Sequence, residues 1–91
     1  MIEYVYAELK KLGAVRSSDE FSRNWLGMEK SYLRTMKAKH RKPSARVLAN
    51  VAAKLKGNGA ELEKSTDPKV ALAGQYLVRM GDRCVEEILK G

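Results

Sequence analysis

Ninety-one residues make one small domain's worth of chain, enough for a single core and too little for a multidomain enzyme. Eighteen Lys and Arg against eleven Asp and Glu leave a formal charge of +7, which points toward a polyanionic partner without naming it. An apolar content of 44% argues against wholesale disorder, the lone Cys84 excludes an intrachain disulfide or a cysteine zinc cluster, and with no apolar run near the ~20 residues of a membrane span and no export leader the chain reads as cytosolic.

From Ile2 to Leu12 the apolar residues Ile2, Val5, Tyr6, Leu9 and Leu12 fall at helical spacing, which predicts an amphipathic first helix. Gly13 follows where a left-handed residue would end it. Ser17, Ser18, Asp19 and Glu20 then combine a capping serine with acids suited to a helix N-terminus, predicting a short helix through Phe21 and Trp25 that stops near Leu26 and Gly27. A third helix is expected from Met28 or Glu29, with Met28, Tyr32, Leu33 and Met36 on one side. It ends before Pro43, because the residue preceding proline is pushed away from helical angles. Ser44 caps a fourth helix carrying Val47, Leu48, Val51, Ala52 and Leu55, and Gly57, Asn58 and Gly59 read as turn chemistry that stops it. Asp67 and Pro68 open a last helix, about 67–90, whose stripe is Val70, Ala73, Leu77, Met80, Cys84 and Ile88. The expected fold is all-α, a single compact bundle of about five helices with no confident strand and no internal repeat.

The charge is concentrated. Between residues 23 and 56 there are ten bases (Arg23, Lys30, Arg34, Lys37, Lys39, Arg41, Lys42, Arg46, Lys54 and Lys56) against Glu29 alone, while the segments on either side are nearly balanced. One surface facing phosphate would produce this pattern, and so would a solvated basic helix face.

The same segment holds the informative motif, Leu26 to Leu55. Two helices meeting through a glycine-containing turn, the second one basic, make a helix-turn-helix, whose second helix lies in the major groove. Gly27 permits the reversal, and Met28, Leu33 and Met36 would hold the second helix against the first. In the spacing of Gly27, Met28, Leu33, Met36, Pro43, Ser44, Leu48, Ala52 and Leu55, the segment resembles the helix-turn-helix superfamily of phage repressors and Cro, which includes many small bacterial regulators. The resemblance covers about a third of the chain. It departs from the family in two places. Ser22 and Arg23 stand where an apolar-alanine pair is usual, and Phe21 and Ser22 fit that pair only with one residue inserted before Gly27. Lys39 stands where a glycine often closes the recognition helix, so that helix would run on toward His40.

The resemblance implies a lambda repressor-like fold with the helix-turn-helix unit over about 18–42 and a recognition helix from about Met28 to Lys39. In the family's register Lys30, Ser31 and Thr35 would read bases, with Arg34 as a further reader. Glu29, Lys37, Arg41 and Lys42 would contact phosphate or line the helix rim. Lys and Arg donate to guanine O6 and N7, whereas Ser and Thr discriminate less. The implied partners are double-stranded DNA and a second copy of the chain on a two-fold operator, with the N- and C-terminal helices forming the dimer contact.

Other residues invite simpler readings. Trp25 has the spacing of a core residue, and Tyr32 either packs behind the recognition helix or bonds a phosphate. His40 lacks a second ligand for a metal, and Cys84 reads as a small hydrophobe on the last helix. Gly74 and Gly81 lie on one face of that helix, which either closes the monomer core or pairs with a second copy. No nucleophile with a base, phosphate-cradling loop or metal set is visible, so neither catalysis nor a cofactor is expected. The leading expectation is a sequence-specific transcriptional regulator. An antiactivator that binds a second regulatory protein is the alternative from another class, though such a surface would be more apolar than this basic segment. Non-specific nucleic-acid or RNA binding is a third, weakened by the lack of an aromatic stacking surface.

Overall fold

Five helices succeed one another in the computed structural model, which describes residues 1–90. They are α1 (Ile2–Lys11), α2 (Ser18–Asn24), α3 (Tyr32–Lys39), α4 (Ala45–Glu63) and α5 (Pro68–Lys90), with no strand among the described residues. Most boundaries follow local chemistry. Gly13, at φ 78°, ends α1 by donating to the Lys10 carbonyl at 3.1 Å while Ala14 N–H reaches the Leu9 carbonyl at 2.9 Å, a Schellman closure. Ser17 Oγ accepts from Glu20 N–H at 3.2 Å, and Ser44 Oγ from Val47 N–H at 3.3 Å, so both serines cap the helices that follow them. Asp67 Oδ1 accepts from Lys69 N–H at 2.9 Å and opens α5 in the same way.

Two boundaries depart from the sequence expectation. The third helix begins at Tyr32, not at Met28 or Glu29. Met28 N–H is drawn back to the Ser22 carbonyl at 2.9 Å, and Tyr32 N–H to the Glu29 carbonyl at 3.1 Å, so residues 28–31 follow a turn instead of a helical path. Met28 is consequently exposed and takes no part beside Leu33 and Met36.

The fourth helix does not stop at Gly57, Asn58 and Gly59 but continues to Glu63. Each glycine weakens a helix by roughly 1 kcal/mol relative to alanine, and tertiary packing outweighs that cost here. A Cβ at Gly59 would stand 2.6 Å from the Gly74 carbonyl oxygen, and one at Gly74 would stand 2.5 Å from the Gly59 carbonyl oxygen. Further along, a Cβ at Gly81 would lie 2.6 Å from Lys56 Cγ and 3.1 Å from the Ala52 carbonyl oxygen. The glycines therefore let α4 and α5 approach backbone to backbone as an antiparallel hairpin. This also decides the role of the last helix. Gly74 and Gly81 are consumed within the monomer, so they are not a face on which a second copy can pack closely.

Leu77, Met80 and Cys84 of α5 are buried as the stripe predicts, with Val70, Ala73 and Ile88 at its edge. They meet Val51 and Leu55 of α4, Val5 and Leu9 of α1, Phe21 of α2 and Leu33 of α3 in one core. Tyr6 and Phe21 rings approach to 5.3 Å between α1 and α2. A polar clamp joins α1 to α5. Tyr76 donates to a Glu8 carboxylate oxygen and lies 2.8 Å from the Tyr4 hydroxyl, while Lys11 Nζ is 3.2 Å from the other Glu8 oxygen. The Tyr76 hydroxyl, then Lys11, hold the Glu8 carboxyl below its ordinary range, and the same bond pushes the Tyr76 phenol up.

Substitutions along the glycine seam should separate by position. Gly57 has open space around a Cβ, so Gly57→Ala is expected to stabilise by about 0.5–1 kcal/mol. Gly74→Ala, which meets backbone, should destabilise by about 1–3 kcal/mol; thermal melts followed by circular dichroism would show opposite shifts. Glu8 is depressed in the folded state, so its contribution is present above its ordinary pKa of 4.5 and is lost as pH falls through the lower folded value. Tyr76→Phe removes the main cause, and the fall of melting temperature below pH 4.5 should become shallower.

Candidate nucleic-acid interface

The short α3 presents two opposite faces. Leu33 and Met36 turn inward, being 2% and 9% exposed. At about 100° per residue the other side carries Arg34, Thr35 and Ala38, flanked by Lys37 and Lys39. All five are exposed. The helix ends at His40, which adopts left-handed angles (φ 51°, ψ 36°) while its N–H reaches the Lys37 carbonyl at 3.3 Å and Arg41 N–H reaches the Met36 carbonyl at 3.1 Å. The closing residue is thus His40, one position beyond Lys39. Histidine tolerates this conformation better than most residues.

What positions α3 is Ser22. Its side chain is fully buried, donating from Oγ to the Ser18 carbonyl at 2.9 Å and accepting from Leu33 N–H at 3.1 Å. One hydroxyl therefore ties α2 to the first turn of α3 and satisfies an N–H that no residue of α3 itself can reach. Phe21 and Ser22 form the buried pair on α2, and Arg23 is exposed. Gly27, at φ 69°, makes the reversal after α2, and Asn50 of α4 donates from Nδ2 to the Leu26 carbonyl at 3.2 Å, fastening the turn to the hairpin. Trp25, expected in the core, is only half-buried beside Asn50 and Ala53. Tyr32 is half-buried as well, and its burial pushes the phenol up.

The eight residues singled out from the sequence divide into groups. Arg34 and Thr35 share the outward face of α3. Lys30 is exposed in the turn before it and borders a cleft with Asp19, Glu20 and Arg23 of α2. Ser31 is the N-cap residue, yet its hydroxyl donates to Glu29 Oε1 at 2.7 Å instead of capping the helix. Glu29 is exposed in the same turn, and its negative charge suits a rim better than a phosphate contact. Lys37 flanks α3 in its last turn. Arg41 and Lys42 lie in the connection to α4, where they border a cleft with Met1 and Glu3 at the start of α1. Sequence reasoning overlooked Asp19, whose Oδ1 is 3.3 Å from Arg34 Nε, and Arg46, exposed in the first turn of α4. The Asp19 pairing joins two helices and has no local spacing signal. Arg46 was visible as part of the charge cluster.

All ten bases between residues 23 and 56 are exposed. Within the stretch from Lys30 to Arg46, only Arg34 is ion-paired among the described residues. No group of three metal-ligating side chains and no helix long and apolar enough to cross a membrane occurs among those residues.

The chain belongs to the family of unknown function DUF6626, whose profile matches residues 2–90. No curated protein and no solved structure matches it.

Ser22→Ala removes the acceptor from a buried N–H while adding no bulk, and a loss of about 1–3 kcal/mol in stability is expected. A lowered urea midpoint with faster hydrogen exchange at the Leu33 amide would report it.

Proposed function

We propose that this member of DUF6626 is a sequence-specific DNA-binding transcriptional regulator that places α3 in the major groove. The observation that carries this reading is the two-faced α3, anchored by Leu33 and Met36 and presenting Arg34 and Thr35 outward between exposed bases. Helices α2 and α3, turned at Gly27 and joined through Ser22, have the order and polarity of a helix-turn-helix. The connection between them, residues 25–31, is longer than the usual three or four residues, and Ser22 and Asn50 hold it in place.

In this reading Arg34, Lys30 and Thr35 face base edges, and Ser31 contributes once its hydroxyl leaves Glu29. Lys37, Lys39, Arg41, Lys42 and Arg46 supply the phosphate attraction, which positions the protein without choosing sequence. A two-fold operator calls for a second copy of the chain. The apolar side chains of Leu72, Val85 and Leu89 remain exposed on α5 for that contact. Those same residues, Leu89 above all at 81% exposure, favour the second reading, an antiactivator that covers another regulator's surface.

Selection of bound sequences from a random duplex library tests the proposal. Enrichment of an inverted repeat is the expected result, and a flat library together with co-purification of another regulator would establish the second reading instead. With the selected site in hand, Lys30→Ala with Arg34→Ala should weaken cognate binding by about 1–3 kcal/mol for each bidentate base pairing that the variant can no longer make. Lys37→Ala should weaken all sequences alike and reduce the salt slope by about one.

A further inference from the structure

An acid in the first turn of α2 reaches the outward face of α3. Asp19 Oδ1 is 3.3 Å from Arg34 Nε, and both side chains are partly exposed, at 43% and 60%. Exposed ion pairs of this kind contribute little to stability. The pair's geometry is more informative than its energy. The carboxylate approaches the inner nitrogen of the guanidinium, whose two terminal amines pair with no second acid among the described residues. Those two amines form the fork that matches guanine O6 and N7.

The backbone on either side of the pair is held as well. Ser18, next to Asp19, offers its carbonyl to Ser22 Oγ, and that same oxygen accepts the N–H of Leu33, next to Arg34. A hydrogen-bond chain through the buried Ser22 hydroxyl therefore runs alongside the ion pair and joins the backbones that carry the two side chains. We infer that Asp19 is a positioning residue that orients Arg34 for one guanine, so that base selectivity is set by the Asp19–Arg34 pair and not by Arg34 alone. This rests on the reading of α3 as the element that contacts DNA.

The physical consequence is a division between affinity and specificity. A carboxylate close to phosphate opposes binding to every sequence, whereas an oriented guanidinium favours only the correct base. Glu20, the neighbouring acid, carries the same charge and makes no ion pair among the described residues. Asp19→Asn and Glu20→Gln each remove one negative charge, and only the first removes the partner of Arg34.

The experiment selects sequences from a random duplex library with the wild type and both variants, then measures cognate and random-duplex affinity at one salt concentration. Both variants should bind random duplex at least as tightly as the wild type. In Asp19→Asn the ratio of cognate to random affinity should fall roughly fivefold or more, the lower end of the discrimination one bidentate pairing provides, with the preference abolished at one guanine position. Glu20→Gln should keep the ratio and the selected site. An Asp19→Asn site identical to the wild-type site, or an equal loss in Glu20→Gln, overturns the role of Asp19 alone. A wild-type selection with no enrichment overturns DNA recognition itself.

Discussion

The close approach of α4 and α5 is the constraint on which the other packing depends. Gly59 and Gly74 face each other so tightly that a methyl group on either would meet the opposite backbone, and Gly81 leaves the same room for Ala52 and Lys56. Lys56 Nζ then reaches Asp82 at 3.1 Å across the seam. The hairpin gives the core its floor, with Val51, Leu55, Leu77, Met80 and Cys84 beneath α1 and Phe21. It also holds the turn between α2 and α3 through Asn50, so the basic helix is mounted on the most tightly packed part of the molecule.

A second, smaller constraint converts that platform into a surface. Ser22 is a buried polar residue whose hydroxyl bonds both helices it separates, and a small side chain there lets α3 lie close against α2. Leu33 is fixed by that bond and by the core. Arg34 and Thr35, next in the chain, are therefore carried to the outward side of α3 by the helical period. Charge follows the same logic. The bases are exposed because none is required by the core, and the acids that balance the chain lie mainly on α1, α5 and the first turn of α2.

Much of this was legible in the residues. Ser17, Ser44 and Asp67 act within two or three positions of themselves, so their caps could be read without knowing the fold. The inward stripe of α5 followed from its period, and the concentration of bases from counting. The departures are equally physical. Gly57, Asn58 and Gly59 have turn propensity, but a helix that buries Gly59 against a partner can run through them. Met28 has the spacing of an anchor, yet its N–H is captured by the Ser22 carbonyl and its side chain turns to solvent. The pairing of Asp19 with Arg34 depends on how two helices cross, which spacing within either helix does not encode.

Readable from the residues alone are the all-α class, the placement of most helix ends, the inward positions of α3 and the crowding of positive charge into the middle of the chain. Each of these arises from interactions between residues a few positions apart or from composition, and such interactions do not need a fold to be evaluated. Tertiary structure decided which helices run long, where Gly74 and Gly81 are used, how Ser22 sets α3 against α2, and which acid reaches Arg34. Those outcomes depend on distances between segments far apart in the chain. A glycine that signals a turn in isolation becomes a point of helix contact once another backbone lies within van der Waals distance of its missing side chain.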